Sequence, residues 1–138
     1  MDEFEHLDSC HERWSGLPGT RRTRTQQIVV DVIGTVAAVE GDGFAGWWEG
    51  ILRFGDADQD VPRVIESFHL AGLPLFADMI SQSAFCRDIV ALGIGSDAEG
   101  FKFSPDQERT LTRSELHFSE KGPDAREALL QFLPRCAA

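Results

Sequence analysis

Gly41-Asp42-Gly43-Phe44-Ala45-Gly46 is a literal G-x-G-x-x-G run that follows a β-branched stretch. Such a run holds a dinucleotide when it joins a strand to a helix and its bare backbone cradles the pyrophosphate. Here Glu40 and Asp42 would put carboxylates where the pyrophosphate must lie, and Trp47 and Trp48 would crowd the helix against its strand. Residues 61–92 read as helices, which leaves no parallel strand to complete a βαβ unit. The expected reading is a helix–turn–helix corner.

Asp56-Ala57-Asp58-Gln59-Asp60 matches the first three ligand positions of a calcium loop, but Val61 stands where the turn needs Gly and Ser67 where the bidentate Glu belongs. A solvated acidic loop ahead of a helix starting near Pro62 is expected instead. His6 and Cys10 are four apart and would share a helix face, with His11 nearby. Two ligands can begin a zinc site, yet His69, His117, Cys86 and Cys136 show no ligand spacing that would complete one. Cys86 with His69 or His117 has the residue types of a nucleophile and its base. It falls within an apolar helical stretch, where Cys acts as a small hydrophobe. No serine elbow, P-loop or paired-carboxylate motif is present, and the chain has no Tyr. No enzyme chemistry, metal or cofactor is expected.

Charge narrows the partner. Thirteen Lys and Arg face 23 Asp and Glu, a net charge of -10. That balance disfavours direct nucleic acid binding and docking on anionic membrane lipid. Arg21-Arg22-Thr23-Arg24 is the one basic cluster, and on so acidic a chain it is expected to pair with carboxylates. Three cysteines at wide spacing give no disulfide framework, and the acidic opening Asp2-Glu3-Phe4-Glu5 is unlike a signal peptide. A soluble cytoplasmic protein is expected.

The elements that position these residues read as helices. Residues 2–14 form an acidic amphipathic helix with Phe4, Leu7 and Trp14 on one side, ended by Gly16-Leu17-Pro18-Gly19. Thr20 opens a long segment whose Ile28, Val32, Val36 and Val39 recur at helical spacing. Gly41-Asp42-Gly43 breaks it, and Phe44, Trp47 and Trp48 begin an aromatic helix expected to be a structural corner. Pro62 and Pro74 lie near the starts of two more helices, the second running through Val90. Gly93–Gly100 reads as loop. Ser104-Pro105-Asp106-Gln107 is a capped helix start, and Gly122-Pro123-Asp124 opens the last helix, with Ala125, Leu129 and Phe132 inward. The expectation is one all-α domain over residues 1–138, of about six or seven helices. Residues 1–19 make an N-terminal acidic helix and turn, and residues 20–138 a helical core.

Val39-Glu40-Gly41-Asp42-Gly43-Phe44-Ala45-Gly46-Trp47-Trp48, followed by a helix near Pro62, the turn at Ala71-Gly72 and the segment Leu75 to Ile89, resembles a small bacterial all-α family typified by a DNA-mimic protein. The likeness spans about residues 26–133. It departs at Gly41, Asp42, Gly46 and Gly50, where the family favours Asn, Gly, Gln and Asn. The resemblance implies an acidic homodimer whose carboxylates imitate DNA phosphates on the DNA-binding surface of a basic regulator. Asp2, Glu3, Glu5, Asp8 and Glu12, with Asp56, Asp58 and Asp60, are the candidate acidic face. The alternative is an immunity or antitoxin-like protein that neutralises one toxin.

Overall fold

The computed structural model describes residues 2–94 and 101–135 and is helical throughout, with no strand among those residues. Helix α1, Glu3–Ser15, begins where the Asp2 carboxylate accepts from the Glu5 N–H at 2.8 Å. Leu7, Cys10 and Trp14 are its buried stripe, while Phe4 lies out at the surface. A 3-10 turn over Gly19–Arg21 leads to α2, Arg24–Phe54. The start is not Thr20. Thr23 and Gln26 form a reciprocal capping box, which satisfies two otherwise orphaned N–H groups.

Helix α2 is the axis of the fold, packing against α1 and against helices from the rest of the chain. It continues through Gly41 and Asp42 and bends at Gly43 alone, whose φ of 71° and ψ of -179° only glycine adopts readily. The bend strips Phe44 of its helical acceptor, and its N–H donates instead to Glu115 Oε1 at 2.9 Å. Glu115 thereby caps the second half of α2 from a distant helix.

Helix α3, Ala57–Leu70, corrects the expected acidic loop. Asp56 is its N-cap, accepting from the Asp58 N–H, so Asp58 and Asp60 occupy the first turn and Pro62 lies inside the helix. A side-chain cap satisfies free N–H groups, whereas proline merely tolerates their absence, and here the cap sets the start. Gly72, at φ 80°, turns the chain into α4, Pro74–Gln82. A 3-10 turn, Ser83–Phe85, joins α4 to α5, Cys86–Gly93, so the expected single helix is a rod with one tightened turn. Ser83 Oγ stabilises that turn by donating to the Ile80 carbonyl and accepting from Trp48 Nε1.

Helix α6, Pro105–Leu129, starts at the expected Ser104–Gln107 capping box but runs straight through Gly122-Pro123. Its buried stripe of Leu111, Phe118, Ala125 and Leu129 is continuous across the proline, and that packing outweighs the lost hydrogen bond. A 3-10 segment, Leu130–Arg135, follows. With α4 and α5 acting as one rod and with no new start at Gly122, the expected tally of six or seven is slightly high: five helical units make one compact all-α fold. Gly93, where a loop is expected to begin, is the last residue of α5; the rest of that loop from residue 95, and Cys136, lie outside the described residues.

Phe118 is the hub of the core. Its ring lies 5.1 Å from Phe44, 4.7 Å from Phe76 and 6.2 Å from Phe68, tying α6 to α2, α4 and α3. Phe44, Trp47 and Trp48 are buried and meet edge to face, the geometry that the ring quadrupole favours.

Candidate functional site

The most concentrated polar chemistry surrounds Asp31, a residue the sequence reading passed over inside the Ile28–Val36 run. Its side chain is 4% exposed. Oδ1 accepts from Gln27 Nε2 at 2.8 Å and Arg63 Nη2 at 3.0 Å. Oδ2 accepts from Ser67 Oγ at 2.7 Å and Arg63 Nε at 3.2 Å. Arg63 also holds Asp60 at 2.6 Å. Burial works against the guanidinium charge, but hydrogen bonds and charge from Asp31, then Asp60, outweigh it and raise the Arg63 pKa. Every lone pair of Asp31 is spoken for, so the cluster pins α2 to α3. The signal in the sequence was one carboxylate among aliphatic residues, with Gln27 one turn before it.

Above this cluster lies a cleft of about 330 Å³, with Arg22, Arg24, Arg63 and Glu66 on its walls. Arg24 pairs with Glu66, as expected of the basic cluster. Among the described residues Arg22 pairs with no carboxylate. It donates to the Trp14 and Ser15 carbonyls and to Gln27, closing the C-terminus of α1.

The candidate acidic residues fall into two groups. Asp56, Asp58 and Asp60 cluster at the start of α3, where Asp58 pairs with Arg87 at 2.8 Å and Asp60 with Arg63. Asp2 caps α1, Glu3, Glu5, Asp8 and Glu12 lie on it, and Asp8 meets Arg126 at 2.5 Å. On α2, Arg24 and Asp31 face α3, whereas Val32, Ile33, Val36 and Ala37 line a cleft with Asp8. At about 100° per residue these are different sides of one helix, so the groups flank α2 on separate sides.

The remaining candidates are scattered. Cys10 Sγ lies 3.8 Å from His6 Nε2 and accepts from Arg13 Nη2 at 3.4 Å, with the sulfur wholly buried. Cys86 is buried, and burial, then the nearby Glu115 charge, pushes its thiol up to about 12. No hydrogen bond among the described residues joins Cys86 to His69 or His117, and His117 packs its ring against Phe76. Burial lowers the His11 pKa, opposed by Asp8 and aided by Arg22. Among the described residues no three His, Cys, Asp or Glu side chains converge as metal ligands, and no helix is long and apolar enough to cross a membrane. Comparison with family models, characterised proteins and solved structures finds no match.

Proposed function

We propose that this chain is a non-enzymatic acidic domain that binds a basic protein and covers a surface that otherwise holds DNA. The observation that carries this reading is how the charge is spent. The net charge is -10, and Arg24, Arg53, Arg63, Arg87, Arg109 and Arg126 all turn back onto the chain's own carboxylates. Glu3, Glu5 and Glu12 stay exposed and form no ion pair among the described residues. A field of this sign steers a basic partner and repels nucleic acid. The likeness of residues 26–133 to a family typified by a DNA mimic supports a DNA-binding surface as the target.

The test is capture of the partner from native lysate, followed by association kinetics across a salt series. Screening shortens the reach of surface charge to about 8 Å at physiological salt, so association should slow more than dissociation speeds up. The complex should compete with the partner's operator DNA, and reversing Glu3, Glu5 and Glu12 to Lys should weaken it. Asp56, Asp58 and Asp60 are poor choices for reversal, because they cap and brace α3. A salt-insensitive complex that leaves DNA binding untouched would refute this reading. Exposed Phe54 (89%) and Leu92 (82%) favour the second reading, an immunity-type contact made through apolar side chains.

A further inference from the structure

Two adjoining clefts run beside α1 and share Val36, Glu40 and Arg126. One, of about 340 Å³, lies between Phe4, Glu40 and the Gly122-Pro123 backbone. The other, of about 200 Å³, has Asp8 on its wall and Val32, Ile33 and Ala125 on its floor. Together they form a groove with an apolar floor and two carboxylates at its rim. Gly122 makes room for one of them, since a Cβ there would meet Glu40 Oε1 at 2.4 Å.

This groove already holds a guanidinium. Arg126 crosses it with Nη2 on Asp8, and its guanidinium carbon lies 5.5 Å from the centroid of the Phe4 ring. An ion pair and a cation–π contact thus act on one cation. Phe4 is 41% exposed, so Arg126 leaves part of it open to a visitor. Glu40 is exposed and has no ion pair among the described residues, so the groove offers a carboxylate that its resident arginine does not use.

We propose that this groove is the anchor point for the basic partner, taking an arginine side chain between the Phe4 ring and the Glu40 carboxylate, the one rim carboxylate that Arg126 leaves unpaired among the described residues. The stem of such a side chain would lie on Val36 and the head would reach the rim, which matches the amphipathic build of arginine. The assignment rests on the proposed binding of a basic protein and gives that binding a location. It also explains why an exposed aromatic sits within the acidic N-terminal helix.

The experiment is a titration of the full chain with an oligoarginine peptide at low salt, followed by NMR and by calorimetry. Amide shifts should concentrate in residues 3–8, 36–41 and 121–126. Phe4→Ala and Glu40→Gln should each weaken binding about two- to fivefold. Asp78→Asn and Asp88→Asn, at exposed positions elsewhere on the surface, should change it by less. Circular dichroism and urea midpoints confirm folding of each variant. Equal losses in all the carboxylate variants, with none from Phe4→Ala, would show that net charge alone binds the peptide and would overturn the groove. Losses confined to Asp78→Asn or Asp88→Asn would move the anchor elsewhere and leave the basic-partner reading intact. No binding by the unmodified chain at low salt would overturn both.

Discussion

Removing Arg63 should damage this fold more than removing the carboxylate it holds. The two partners differ in exposure: the Asp31 side chain is 4% exposed and that of Arg63 is 42%. In Arg63→Met the carboxylate stays buried with only Gln27 and Ser67 as donors, a stranded charge that costs about 3–5 kcal/mol. In Asp31→Asn the guanidinium still reaches water and Asp60, and the amide oxygen still accepts from Ser67, so about 1–2 kcal/mol is expected. Urea unfolding followed by fluorescence of the buried Trp14, Trp47 and Trp48 reads both variants. At a slope of about 2 kcal/mol per molar urea, Arg63→Met should lower the midpoint by about 2 M and Asp31→Asn by under 1 M. The double variant Asp31→Leu/Arg63→Met removes both charges and should be more stable than Arg63→Met alone. If Asp31→Asn cost as much as Arg63→Met, or the double variant cost the sum of its parts, the asymmetric burial would not govern this pair.

Ser114 Oγ is buried without a hydrogen-bond partner among the described residues, so Ser114→Ala should raise stability by about 1 kcal/mol, read as a higher urea midpoint. Gly43→Ala should cost about 1–3 kcal/mol, because φ is 71° and a Cβ would meet Glu115 Oε1 at 2.6 Å; Gly41→Ala, helical with nothing within 4 Å, should instead gain about 0.5–1 kcal/mol. The His11 pKa is lowered on folding, so the unfolded chain takes up the proton first as pH falls through 6.5, and stability should decline there. His11→Gln should flatten that part of the stability–pH curve in thermal melts.

Much of the helical order was legible in the residues. The Ser104–Gln107 box and Pro74 act within one turn of chain, so their effects can be read locally. The boundaries that moved are those where local signals compete. Pro62 and Pro123 each look like a start, yet Asp56 caps one helix ahead of its proline and a continuous buried stripe carries the other past it. Gly41, Asp42 and Gly43 look like one break, and only Gly43 leaves the helix, because Glu115 is there to receive the freed Phe44 N–H.

The charge of -10, the spacing of Phe44, Trp47 and Trp48, and the all-α class follow from the order of residues alone, because composition and periodicity are properties of the chain itself. Which carboxylates remain available to a partner does not. Asp31, Asp58 and Asp60 are drawn into ion pairs by arginines on other elements or on a neighbouring turn, while Glu40 is left at the rim of a groove whose other walls come from α1 and α6. Only tertiary packing decides this, because burial and pairing depend on which helices meet across distances in sequence that no local pattern encodes.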